Sequence, residues 1–117
     1  MQKYQKLRNS SDFDSVKKNG TGSTDFNLVM LAMDQETVGK YQGSRLGFIV
    51  SKRIGGATVR NKYKRRLKES ASSIRIIDGM DIVFIARNGI LNSDYNGILS
   101  SMYKLLDNAS LISTENM

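Results

Sequence analysis

The chain has 117 residues, with 18 Lys and Arg against 11 Asp and Glu, a formal net charge of +7, and neither Cys nor His. That length supports one domain with one modest core, and 39% apolar with 25% charged residues is ordinary globular composition. The missing residue types exclude a disulfide framework, a thiolate metal site, and the commonest zinc ligand and general base. No apolar run approaches about 18 residues, and an N-terminus reading MQKYQKLRNSSDF has no leader pattern, so a soluble cytoplasmic protein is expected.

A short helix is expected over 11–19, capped by Ser10 or Ser11, with Ser11 and Asp14 spaced as a capping box and Gly20 as its C-terminal stop. Thr21-Gly22-Ser23-Thr24 reads as a turn. Over 26–33, Phe26, Leu28, Met30 and Ala32 alternate with Asn27, Val29, Leu31 and Met33, and both sets are apolar enough to predict a strand covered on both sides. Residues 34–43 contain Gln35-Glu36, Gly39 and Gly43 and read as a polar hairpin connection to a second strand over 45–52, where Leu46, Phe48 and Val50 share a face. These two strands are expected to pair antiparallel.

Gly55-Gly56 reads as a tight strand-to-helix turn; it lacks the Gly-Lys-Ser/Thr end of a P-loop. A helix begun there, over 57–72, puts Val59, Tyr63, Leu67, Ser70 and Ile74 on one stripe, the spacing of a helix packed on a sheet. Arg60 and Lys64 flank the stripe on one side and Lys62 and Arg66 on the other, while Asn61, Arg65 and Lys68 point away. Ile76-Ile77-Asp78-Gly79 then leads into a third strand over 80–87, whose continuous MDIVFIA run suits a buried central position. Asn88-Gly89 turns the chain. A last helix over 93–108 carries Tyr95, Ile98, Leu99, Met102, Leu105 and Leu106 on its apolar face, with Asn92 or Ser93 as cap; Gly97 costs it about 1 kcal/mol relative to Ala. The tail LISTENM has no periodicity, and residues 1–9 and 109–117 are expected to be flexible. No repeat or linker divides the chain, so the order helix, two or three strands, helix, strand, helix predicts one α+β domain with helices against a sheet.

Charge is the feature that points to function. The segment 51–69, SKRIGGATVRNKYKRRLKE, holds eight cations, and between Lys40 and Lys68 there are ten Lys or Arg and no Asp or Glu. A solvated structural helix would mix signs at i, i+4, whereas like charges at 60, 64 and 68 repel one another until a polyanion relieves them. Solubility alone explains the pattern less well. Nucleic acid is the first candidate. A membrane surface is disfavoured, because Val59, Tyr63 and Leu67 are accounted for as core.

Ser51-Lys52, Gly55, Arg60-Asn61-Lys62, Lys64-Arg65 and Leu67-Lys68-Glu69 resemble the signature of the bacterial ribonuclease P protein subunit. Leu7-Arg8 with Ser11-Asp12-Phe13 and Val16 to Gly20 is similar to the family's first helix, Arg45-Leu46-Gly47-Phe48 to its central strand, and DIVFIAR, from Asp81 to Arg87, to the strand before its last helix. Four co-linear blocks thus cover about residues 3–107. The resemblance implies a single RNA-binding domain over 1–117, an αβββαβα sandwich of the ribosomal-protein-like type with a left-handed βαβ crossover, where physics alone would favour a right-handed one. It also implies a function: the non-catalytic protein subunit of ribonuclease P, the endonuclease that removes the 5′ leader from precursor tRNA. Cleavage there belongs to the RNA subunit and its Mg2+, the protein alone binds no cofactor, and neither membrane nor DNA is a partner.

Two RNA surfaces follow from the resemblance. Lys52, Arg53, Arg60, Asn61, Lys62, Lys64, Arg65 and Lys68 would face the ribonuclease P RNA through phosphate and shape contacts, with backbone N–H groups at the helix start as further donors. Arg8, Phe13, Lys17, Lys18 and Leu31 would form the cleft for the precursor-tRNA 5′ leader. Phe13 reads either as a base-stacking aromatic or as the core anchor of its short helix. Lys17 and Leu31 stand where many members carry aromatics, so stacking is reduced and Arg8, Lys17 and Lys18 carry more of the backbone contact; Asn88-Gly89 replaces a frequent Pro-containing turn. No catalytic or metal residue is expected, since the carboxylates are scattered, Asp78 belongs to an Asp-Gly turn and Asp81 opens a strand. A ribosomal-type structural RNA-binding protein would explain the charge and the helix but not the joint blocks. A protein-only nuclease would need catalytic groups this composition does not supply.

Overall fold

A computed structural model describes residues 4–35 and 43–114. They form a five-stranded mixed sheet and three helices: β1 (Gln5–Lys6), α1 (Ser10–Asn19), β2 (Thr21–Thr24), β3 (Leu28–Asp34), β4 (Arg45–Ile49), α2 (Ala57–Ser72), β5 (Met80–Ala86) and α3 (Tyr95–Asn108), with a 3-10 turn at Asn88–Asn92. The strand order is β1-β4-β5-β3-β2. β5 is central, antiparallel to β3 from Leu28↔Ala86 to Asp34↔Met80 and parallel to β4 from Arg45↔Asp81 to Ile49↔Ile85. This is an α+β domain with α2 as the crossover between the parallel neighbours β4 and β5.

The expected antiparallel pairing of the strands at 26–33 and 45–52 does not form, because β5 lies between them. Its MDIVFIA run is apolar on both faces and takes the position with a partner on each side. Residues 36–42 of the expected hairpin connection lie outside the described residues. Thr21-Gly22-Ser23-Thr24, expected as a turn, is an edge strand paired with β3, and β1, unforeseen, pairs parallel with β4. β3 starts at Leu28 rather than Phe26, since Asp25 Oδ1 accepts from the amides of Asn27 (2.8 Å) and Leu28 (2.9 Å) and closes an Asx turn.

Helix starts also differ from the sequence reading. α1 begins at Ser10 behind Asn9, with no side-chain cap, so the Ser11–Asp14 capping box is not made. α3 begins at Tyr95, where Asp94 accepts from the Gly97 amide at 2.9 Å and takes the capping role expected of Asn92 or Ser93. Parts of the ends expected to be flexible are packed. Leu7 and Leu111 are buried, Ile112 bridges Ile76, and the Ser113 amide donates to the Arg75 carbonyl at 2.8 Å.

Strand alternation sorts the side chains onto two faces. Leu28, Met30, Leu46, Ile82 and Phe84 point toward α2 and α3 and are fully enclosed with Tyr63, Leu67, Ile98, Met102 and Leu106. Phe48 stacks on Phe84 at 6.0 Å, and Tyr4 meets Phe48 edge-on at 6.0 Å. The other face carries Val29, Leu31, Met33, Gly47, Ile49, Val83 and Ile85. It was expected to be covered, yet among the described residues α1 is the one helix that crosses it, and Leu31, Met33, Ile49 and Ile85 remain half-buried.

Candidate RNA interface

α2 presents the first surface. Tyr63, Leu67, Ser70 and Ala71 are its buried stripe, Val59 packs at the edge, and Asn61, Arg65 and Lys68 are exposed as their spacing predicts; Lys62, expected to flank the stripe, is exposed as well. Arg60, Lys64 and Arg66 are half-buried flankers. Their stems cover apolar surface while the charge stays outside: the Arg66 guanidinium lies 5.4 Å and the Lys62 ammonium 5.8 Å from the Tyr63 ring centre. Arg60 Nε is shielded with no hydrogen-bond partner among the described residues. Within the helix Arg65 pairs with Glu69 at 3.8 Å, both exposed, which contributes little.

The helix start belongs to the same surface. Lys52 and Arg53 are exposed on the turn before it. A Cβ on Gly55 would stand 2.9 Å from the Val59 side chain, so Gly55 is there for close packing, as the tight-turn reading requires. Gly56 has open space around it and caps the helix without a side-chain acceptor. No acidic residue occupies the first turn, which leaves the positive end of the helix for an external anion.

The second surface is the uncovered sheet face. Val16 anchors α1 against it, fully buried with Leu7 and Val83. Phe13 is half-buried, its ring lying on Gly47 so closely that an added Cβ would overlap Cζ at 2.6 Å. Gly47 thereby makes a flat seat for the aromatic ring. Leu31 belongs to the same cluster. Lys17 and Lys18 are exposed in the last turn of α1, and Arg8 is exposed just before the helix. Lys17 is one helical turn from Phe13 and therefore on the same side of α1. Phe13 and Leu31 converge on the apolar floor, with Lys17 on the Phe13 side of α1; Arg8 and Lys18 are exposed near the two ends of the helix, and Lys18 is turned away from Phe13.

A charged cluster that sequence reading missed ties α1 to the sheet. Arg45 is bidentate to Asp81, Nη2 to Oδ2 at 2.6 Å and Nε to Oδ1 at 2.9 Å, and its Nη1 reaches Asp12 Oδ2 of α1 at 3.1 Å. Gln35 Nε2 adds a hydrogen bond to Asp81 Oδ1 at 3.3 Å. Asp81, 4% exposed, is thus a structural counter-ion. The signal was available in principle, because Arg45 and Asp81 are opposite charges on the same face of strands that prove to be in register. Among the described residues no three His, Cys, Asp or Glu come together as a metal site, and no helix is long and apolar enough to cross a membrane.

A basic helix and a half-open apolar sheet face on one small α+β scaffold define a protein that binds RNA by charge and shape. The family model for Ribonuclease P matches residues 1–110. The ribonuclease P protein component of Clostridium botulinum is 37% identical over 112 residues, covering 93% of this chain and 97% of its own, and that of Alkaliphilus oremlandii is 31% identical over 116 residues, covering 97% and 98%. In three dimensions the chain is similar to the RNase P protein of Staphylococcus aureus (TM-score 0.81, 26% identity, 95% and 100% coverage) and to that of Thermotoga maritima (TM-score 0.76, 29% identity, 89% and 96% coverage). The chain belongs to the ribonuclease P protein family, the protein component of a tRNA-processing ribonucleoprotein.

Proposed function

We propose that the cationic side of α2, with Lys52 and Arg53 ahead of it, binds the catalytic RNA of this ribonucleoprotein, and that the cleft between α1 and the open sheet face holds the 5′ leader of precursor tRNA. The observation that carries this reading is the unequal treatment of the sheet's two apolar faces. One is sealed by two helices, while the other is left half-open beside Phe13, with Lys17 one helical turn on. A single strand fits such a floor, since bases stack on apolar and aromatic surface while phosphates meet the charged rim.

In this reading the bond is broken by the RNA subunit with its Mg2+, in the cytoplasm, and the protein works by assembly and positioning. The described carboxylates support that division. Asp81 and Asp12 are engaged with Arg45, and Asp25 with its own turn, so the residues fit a partner of metal-bearing RNA better than a metal site of their own. Cations on α2 would screen repulsion between two RNAs and lower the magnesium needed for assembly.

Reconstitution tests it directly. Cleavage of precursor tRNA by the cognate RNA, measured across magnesium concentrations with and without this chain, is expected to need less magnesium when the chain is present. The protein freed of RNA is expected to leave precursor tRNA intact. Site-specific 5′ cleavage by the RNA-free chain, or an unchanged magnesium requirement, would refute the proposal.

A further inference from the structure

The end of the open face remote from Gly47 carries a second aromatic, and its surroundings are built. Phe26 sits at the tip of the Asp25 turn, 68% exposed, the most exposed large apolar side chain among the described residues. Buried Asn27 next to it donates Nδ2 to Ser101 Oγ (2.8 Å) and accepts from Ser93 Oγ (2.8 Å), while the Arg87 amide donates to the Asn27 carbonyl (2.9 Å). The turn is therefore pinned to α3 and β5, and Phe26 is displayed on a rigid support. Its ring rests on the Gly89 backbone, where an added Cβ would stand 2.7 Å from Cδ2 and Cε2. That contact covers one edge and leaves the rest of the ring to solvent.

Beside the ring is a cavity of about 460 Å³ with an apolar floor of Val29, Ile54 and Ile85, walled by Arg53 and Arg87 and lined by no carboxylate. Arg87 is held in place by Thr24 Oγ1 (3.1 Å) and the Asp25 carbonyl. Neither arginine makes an ion pair among the described residues. We propose that Phe26 is a nucleobase-stacking residue which, with Arg87 on an adjoining phosphate, grips single-stranded RNA at this end of the sheet, next to the Arg53 that borders the catalytic-RNA surface.

The proposal rests on the leader-cleft reading above and extends it. Along β5, Val83 lies beneath the α1 end of the cleft and Arg87 beside Phe26, so the second grip is roughly 13 Å farther on, at about 3.3 Å per residue. An RNA strand needs more than one nucleotide to reach it. A protein partner fits less well, since Phe26 is a single aromatic between two cations rather than part of a broad apolar patch. Aromatic surface with flanking positive charge and no carboxylate is what a base and its phosphates require.

The test uses the full chain assembled with its catalytic RNA, and precursor tRNAs whose leaders lengthen one nucleotide at a time, with mature tRNA as reference. Phe26→Ala and Phe26→Leu are expected to weaken binding about 5- to 20-fold once the leader is long enough, with no change for mature tRNA or the shortest leader, whereas Phe26→Trp retains affinity. A 2-aminopurine base stepped along the leader should be quenched at one position in the wild type and not in Phe26→Ala. Tight binding of long leaders by Phe26→Leu would overturn the proposal, because it would show that the ring is not needed; so would an equal loss for mature tRNA, which would place Phe26 against the RNA subunit or a protein. If the wild-type assembly itself binds leader-bearing and mature tRNA alike, the cleft reading falls and this one with it.

Discussion

The two faces of the sheet are made of the same residue types and end in different states. Toward α2 and α3, Leu28, Met30, Ile82 and Phe84 are sealed; on the other side Leu31, Met33, Ile49 and Ile85 are chemically equivalent yet half-exposed, because among the described residues α1 alone covers that face, and only in part. Burial on the sealed side stabilises the domain at roughly 25 cal/mol per Å² of apolar surface. The open side forgoes part of that term and keeps a surface able to bind. Apolar composition alone therefore does not say which face is core; the length and placement of the covering helix decide it.

The largest expected effect is on the sealed face. Phe84→Ala should destabilise the domain by about 3–5 kcal/mol in urea unfolding, whereas Leu31→Ala across the sheet should cost nearer 1 kcal/mol. Equal losses would erase the distinction between the faces. Next is the charged cluster that fixes α1: Asp81→Ala removes the bidentate partner of a largely buried guanidinium, leaves it Asp12, and should cost about 3–5 kcal/mol, most of it recovered when Arg45→Met and Asp81→Leu are combined. A double variant no more stable than Asp81→Ala would contradict this account of the pair.

Smaller changes sharpen the open face. Phe13→Ala should weaken precursor tRNA relative to mature tRNA by about 1–3 kcal/mol in the assembled enzyme; an equal loss for both, in a folded protein, would make the ring purely a packing element. On α2, Lys64→Ala with Arg65→Ala should flatten the slope of log affinity against log salt by about one unit per lost phosphate contact, and an unchanged slope removes that helix from the interface. The smallest effect is titration of Asp25. Burial raises its pKa, but hydrogen bonds from Ser101 and from the Leu28 and Asn27 amides, with the charge of Lys104, bring it below the ordinary 3.8. With the folded value lower than the unfolded one, its contribution is present above about pH 4 and disappears as pH falls through the folded value. Asp25→Asn should therefore flatten the stability profile in that acid range only.

Much of this was legible in the chain. The 3.6-residue stripe of α2, the arrangement of its cations and the both-faced apolar run of β5 are local patterns, and each appears where its spacing puts it. Strand neighbours were not legible, because pairing is decided by which strand fills the centre and not by which follows which. β2 carries no apolar signal and β1 has two residues, so neither could be seen alone. Phe26 looked like the first residue of a strand, and only the Asp25 side chain turning back on the backbone removes it from the ladder. Arg45 and Asp81 lie 36 positions apart, beyond the reach of any periodicity. The gathering of Phe13 and Leu31 depended on Gly47, whose missing side chain gives no sign in the sequence of what will lie on it.

The central place of β5 also bears on synthesis. β3 and β4 do not bond to each other but only through a strand that begins at residue 80, so a nascent chain can carry α1, β2, β3, β4 and the whole basic helix out of the ribosome before its sheet can close. Such late, non-local closure makes folding slower than in a helical bundle of equal length. Until β5 and α3 arrive, the buried stripe of α2 has β4 beside it but lacks the closed sheet and the helix that complete its core, and a segment dense in positive charge emerges beside ribosomal RNA without the structure that will later select its partner.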